Sequence, residues 1–245
     1  MENAQLINLS RQIALRHQMD VVANNIANIN TTGFKAQSIL FEEYINPVAS
    51  DQDFMPGDQD LSFVQDWATM TNMQAGALVQ TGSQLDVALQ GEGFFAVQTP
   101  AGERWTRSGA FQINASGALV DLSGNLVMGE GGQITFDPTE TDITVADDGT
   151  VMTANGTKGK LRIVEFDDPR VLTREGNNLY SGGEPLPAVE TRAVQGAIER
   201  SNVSGVTEMA EMIRVNRSYQ TLASIMQRHD ELRSTAIRRL GDISA

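Results

Sequence analysis

The apolar residues of the first thirty positions occupy two sides of one helix, and that division limits what the chain can become. Asn3 can cap a helix in which Leu15, Met19, Val22, Ile26 and Ile29 recur at 4-3-4-3 spacing, the seam of a coiled-coil helix. Leu6, Leu9 and Ile13 keep the same rhythm in another phase, on roughly the opposite side of the cylinder. A helix that changes its apolar face half-way needs more than one neighbour. Asn28 and Asn30 suit the left-handed turn that ends a helix, and Gly33 is expected to stop it, which gives an N-terminal helix over 1–33. Asn24, Asn25 and Asn28 flank the stripe. They read either as a fraying helix end or as polar contacts that fix register between packed helices.

The other end of the chain carries a matching pattern. Ser201 or Ser204 can cap a helix over 201–245, and Met212, Val215, Tyr219, Leu222 and Met226 repeat at 3-4-3-4 with Leu240 on the same face. Ile225 and Leu232 widen that stripe, while Arg214, Arg217, Arg228 and Arg238 lie outside it or at its margins. Isolated helices are marginal in water, so both must draw stability from packing. A chain that leaves along one helix and returns along the other gives an antiparallel, coiled-coil-like pair.

Between the helices the pattern changes twice. Residues 34–80 mix Phe34, Phe41, Tyr44 and Trp67 with the breaks Asn46-Pro47 and Pro56-Gly57, which reads as an extended arm that orders on packing. No Lys or Arg occurs between Lys35 and Arg104, whereas ten acids do, so most of the net charge falls in one stretch. A solvated loop or a surface for a basic neighbour both fit this. Asp51, Asp53 and Asp58 suggest a calcium loop, but Met55 and Pro56 stand where a ligand and the loop glycine belong, so no metal is expected. Residues 81–200 carry short β-rich runs at 85–89, 94–98, 103–107, 133–136, 143–145 and 160–166, with turn residues about every ten positions and an Asn155-Gly156 hairpin signal. Arg104 and Arg107 flank Trp105 and read as a solvated face. This middle block is expected to be a mainly antiparallel β domain, an irregular barrel or sandwich, and the chain as a whole α+β.

Three blocks carry a resemblance. ANNIANINTTGFK at 23–35 resembles the N-terminal signature of bacterial flagellar rod and hook proteins, the axial proteins of the flagellum. Residues 81–129 are similar to the central block of the same proteins, in the elements at 85–88, 91–95, 105–107 and 109–111. At the C-terminus, the Ser201-Asn-Val run, Glu211-Met-Ile and NRSYQ at 216–220 are similar to the family's last signature, although Gly205 and Thr207 depart from it. The resemblance implies a structural subunit of the basal-body rod. Its length and opening residues look most like a proximal rod member, with a distal rod or hook-type member as the alternative. It also implies partners among copies of the same chain, other rod proteins and the flagellar export apparatus. The expected place is the periplasmic rod, reached without a cleaved signal peptide. Leu15, Met19, Val22, Asn24, Asn25, Ile26, Asn28 and Ile29 would then serve assembly from the N-terminal helix. Met212, Val215, Tyr219, Leu222 and Met226 would do so from the C-terminal one.

Composition narrows the other classes. With 18 basic and 31 acidic residues the net charge is −13, which argues against nucleic acid and anionic lipid as partners. No window approaches a membrane-spanning apolar run. There is no cysteine, which leaves no disulfide or thiolate metal site. His17 and His229, the only histidines, fall on the helices, and no nucleophile elbow, zinc motif or phosphate loop is present. Gly91 and Gly93 suit a tight strand connection better than a phosphate loop. No enzyme, cofactor or small-molecule substrate is therefore expected. One reading from another class stands beside the axial protein: a secreted β domain that binds a ligand, its core closed by the terminal helices.

Overall fold

Two helices bound the chain: α1 (Glu2–Ala27) and α2 (Gly205–Asp242). The computed structural model describes residues 2–46, 61–137, 140 and 142–242, with side chains over 7–41, 68–137, 140 and 142–239. The acidic stretch around Asp51, Asp53 and Asp58, and the side chains of Leu6, Tyr44, Trp67 and Leu240, lie outside those residues. The chain forms two compact units. One holds 1–27, 37–70 and 204–245; the other holds 28–36 and 71–203.

In the helical unit, α1 ends at Ala27, six residues before Gly33. Neither Asn28 nor Asn30 takes a positive φ. At the other end Ser204 stands in the capping position: its carbonyl accepts from Glu208 N at 3.0 Å. The described parts of 34–80, expected as an extended arm, contain two long strands, Gln37–Asn46 and Leu61–Thr71, paired as a ribbon. Gln37-Ser-Ile-Leu-Phe41 and Leu61-Ser-Phe-Val64 are β-rich runs whose signal the adjoining breakers obscure.

The β unit is built on one antiparallel run. Its order is Thr173–Gly176, Leu179–Ser181, Gly102–Thr106, Phe94–Thr99, Leu126–Gly129, Leu119–Asp121 and Phe111–Ile113. Phe94-Phe-Ala-Val97 is buried without interruption because this sheet is covered on both faces. Phe95 and Val97 join Val87, Leu89, Phe111 and Val127 on one side. Phe94 and Ala96 join Trp105, Val164, Phe166 and Tyr180 on the other. Alternate side chains of a strand point to opposite faces, so a strand with two cores must be apolar throughout. Edge-to-face aromatic contacts fix the second core, with Phe94–Phe166 centroids 5.7 Å apart and Phe94–Tyr180 5.8 Å apart. The Asn155-Gly156 hairpin forms with Ala154 and Asn155 as its loop, and Gly156 already pairs with Thr153.

A carboxylate ties the 189–191 segment to this sheet. Glu165 Oε1 accepts from Thr191 Oγ1 at 2.6 Å and Thr191 N at 3.0 Å, while Thr191 Oγ1 accepts from Gly93 N at 3.0 Å. Burial pushes the Glu165 carboxyl up, but the Thr191 hydroxyl and the amides of Val189, Thr191 and Glu190 outweigh it, and the group lies below its ordinary range. Its contribution to stability is therefore fully present above the unfolded carboxylate value, about 4.3, and disappears as pH falls through the lower folded value. A Glu165→Gln variant is expected to melt lower than wild type at pH 7. The gap should narrow below pH ~4, as the wild-type carboxylate becomes protonated. A constant gap in melting temperature from pH 7 to pH 3 would show that the carboxylate charge has no such role.

Candidate functional site

The chain passes between the two units four times, and within the β unit the segments next to those crossings are bonded to one another. Lys35 is buried, and its ammonium donates to Glu199 Oε1 at 2.6 Å and to the Gln74 carbonyl at 2.7 Å. Arg107 donates through Nε to Glu199 Oε2 at 2.9 Å. Its other nitrogens reach the carbonyls of Gly91, at 2.9 Å, and Gly93. Glu199 Oε1 also accepts from Gly76 N at 2.8 Å, and the Glu199 carbonyl accepts from Gly33 N at 2.8 Å. Asn202 completes the lacing: its Oδ1 accepts from Ala36 N at 2.7 Å and its Nδ2 donates to the carbonyls of Asn72 and Gln74.

One carboxylate thus faces two cations, and the carbonyl oxygens of Gln74, Gly91 and Gly93 accept from the same two side chains. Burial pushes the Lys35 ammonium below its ordinary value, against the attraction of Glu199. Arg107 is buried, so the solvated face read from its place beside Trp105 is wrong for it: strand residues two apart share a face, and Arg107 shares that of Trp105. Arg104 does reach a polar partner near the surface, Glu175, at 2.5 Å.

Thr32, Gly33, Phe34 and Lys35, the end of the N-terminal signature, lie at this hub. The Thr32 carbonyl accepts from Asn178 Nδ2 at 2.9 Å, and the Arg174 guanidinium stacks 4.3 Å from the centre of the fully buried Phe34 ring. Gly33 does not terminate α1. It has φ +68°, and a Cβ there would lie 2.5 Å from the Arg107 carbonyl carbon, so only glycine allows this approach.

The helical unit holds the residues singled out for assembly, apart from Asn28 and Ile29, which belong to the β unit. On α2, Val215 and Leu222 are buried and Met212, Tyr219 and Met226 partly so, along one line of the helix. On α1, Val22 is buried and Leu15, Met19 and Ile26 are partly buried. The most buried line is turned by about one residue, through Ala14, Val21 and Asn25. Asn24 is exposed; Asn28 and Ile29, past the helix end, are partly buried. Asn25 does not flank the buried line but sits in it. Its side chain clamps the first ribbon residue, donating to Gln37 O at 2.8 Å and accepting from Gln37 N at 2.9 Å. Gln12 Nε2 donates to Tyr219 Oη at 3.0 Å, and Gln18 Nε2 to Glu211 Oε1 at 2.7 Å. On the far sides of these helices, Leu9 and Ile13 of α1 and Val206, Met209 and Ile213 of α2 are exposed.

Sequence reasoning did not find Lys35, Arg107, Glu199 or Asn202 as one site. A signal was present. Lys35 is an isolated cation beside a large aromatic, and the three blocks that resemble axial proteins each contribute a residue here. Among the described residues no group of three or more acids and histidines could hold a metal ion. No described helix is long and apolar enough to cross a membrane.

Family models match three parts of the chain. These are "Flagella basal body rod protein" over 6–35, "Flagellar hook protein FlgE/F/G D1 domain" over 88–153 and "Flagellar basal body rod FlgEFG protein C-terminal" over 194–239. The chain is 39% identical to the flagellar basal-body rod protein FlgF of Caulobacter vibrioides, over 100% of both chains. The chain belongs to the flagellar basal-body rod proteins. It is also 32% identical to FlgF of Mesorhizobium japonicum over 100% of both chains. A rod protein FlgG of Agrobacterium fabrum is 30% identical over 93% of this chain and 95% of its own. The chain is accordingly a structural rod subunit and not an enzyme. The reading as a secreted ligand-binding domain gives way to this.

Proposed function

We propose that the chain is a proximal subunit of the rod and polymerises through its terminal helices, which pair antiparallel in coiled-coil fashion. Two hydrogen bonds support the pairing. From Gln12 to Gln18 the chain advances along α1, while their partners step back from Tyr219 to Glu211 along α2. Opposed progress of this kind is what antiparallel helices produce. The observation that carries assembly is the second apolar side of each helix. Ile13 is 62% exposed and Val206 84% exposed, on helices whose other side is already buried. Large apolar side chains left in water on two adjacent helices mark a surface meant to be covered. Neighbouring rod chains, including copies of this one, supply the cover. The chain reaches the periplasmic part of the basal body through the flagellar export apparatus, without cleavage of a signal peptide.

The proximal position rests on the full-length match to proteins named FlgF. An epitope placed in the exposed Leu122–Gly124 turn of the β unit and labelled with gold in purified basal bodies is expected to mark the rod end nearer the cytoplasmic membrane. Label at the hook end would assign the chain to the distal rod instead.

A further inference from the structure

The helical unit carries two surfaces that complement each other and cannot meet within one copy. One is a groove of about 590 Å³ lined by Arg11 and Leu15 of α1, Phe41 of the ribbon, and Arg217, Leu222 and Ile225 of α2. Its lining is largely apolar, with two guanidinium groups among it. Neither the Arg11 nor the Arg217 side chain forms a hydrogen bond or ion pair with another described residue. The other surface is the outer stripe of α1: Leu9, which is 46% exposed, then Ile13, then the exposed Asp20. Eleven residues are close to three helical turns, so Asp20 falls on the line of Leu9. Its carboxylate has no partner among the described residues either.

We infer that the outer stripe of α1 from a second copy of this chain seats in this groove, its Ile13 on Leu222 and Ile225 and its Asp20 against Arg217. This rests on the rod reading and names the faces that meet. The spacing agrees. Ile13 and Asp20 are seven residues apart, about 10.5 Å along a helix, while Arg217 lies about 7.5 Å along α2 from Leu222 and about 12 Å from Ile225. The outer stripe of α2 is a poorer occupant. Beyond Val206, Met209 and Ile213 it continues into Arg217 and Gln220, with no acid to meet the arginines.

Direction follows from the same residues. In an antiparallel pair, the path from Ile225 to Arg217 runs the way α1 runs from N to C. The docked α1 therefore points the same way as the α1 of its host. Two different faces meeting with one polarity make a heterologous contact, which repeats as a ring or an open helix and does not stop at a dimer.

The test places a photoreactive benzoylphenylalanine at Ile225 in the full-length chain, in cells whose basal bodies are then purified and irradiated. The expected product has twice the chain's mass, with the attachment mapping to residues 9–20. Asp20→Arg should lower its yield at least about tenfold by setting like charges together, and adding Arg217→Asp should restore most of it. A product with a different chain alone, or no product from basal bodies that contain the variant, overturns the inference and leaves the rod reading standing. Absence of the chain from basal bodies overturns both.

Discussion

Glu199→Ala is expected to lower the stability of the β unit by about 3–5 kcal/mol, the cost of breaking a buried ion pair from one side. The variant would leave the Lys35 ammonium and the Arg107 guanidinium both buried without a counter-charge, at positions where each side chain is at most 2% exposed. It would also leave Gly76 N without its acceptor, a further cost of about 1–3 kcal/mol. Single domains are stable by about 5–15 kcal/mol in all, so the β unit should melt far lower or fail to fold. Lys35→Met is expected to cost less, because the Arg107 cation still neutralises the carboxylate. Denaturant unfolding of the purified full-length variants in a Trp67→Phe background, followed by the fluorescence of the remaining Trp105, measures both. A loss below about 1 kcal/mol for Glu199→Ala would show that solvent reaches the carboxylate site and that the hub does not hold the unit together.

The two ends of the chain were legible in its sequence because helical periodicity is a local signal. The α2 stripe from Met212 to Met226 is the buried line of that helix. The N-terminal stripe is less faithful, for a physical reason. Positions that read as its polar margin include Asn25, which is buried because it satisfies the backbone of Gln37. Hydrophobicity cannot announce a buried residue whose role is to supply hydrogen bonds. The strand Phe94–Thr99 was equally plain, since a sheet covered on both faces writes an unbroken apolar run.

The hub was not legible. Lys35, Arg107, Glu199 and Asn202 are separated by up to 167 positions, and no local pattern links one to another. Only the fold brings their charges together. The ribbon strands were hidden differently: Gln37–Asn46 and Leu61–Thr71 carry β-formers, but the breakers between them made the whole arm look irregular. The resemblance to axial proteins located all three signature blocks without indicating that Lys35, Arg107 and Asn202 are drawn to one site.

Val22→Asp and Leu222→Asp are each expected to abolish rod formation and swimming while leaving the melting of the β unit within about 2 °C of wild type. Val22 is 5% and Leu222 9% exposed, and both belong to the helical unit. Large aliphatic side chains contribute roughly 1.5–3 kcal/mol each when buried. An unpaired carboxylate in their place reverses that gain and adds a desolvation cost of several kcal/mol unless it becomes protonated. Few side chains of α1 and α2 are fully buried, so one such change removes much of what holds these helices in place. The β unit has two apolar cores of its own and contains neither residue. Swimming on soft agar, rods in purified basal bodies and thermal unfolding of the isolated protein are read together. Normal swimming with Leu222→Asp would take the terminal helices out of assembly. Loss of the β unit's melting transition would mean instead that the two units fold as one, and that the helices serve the stability of the subunit before they serve the rod.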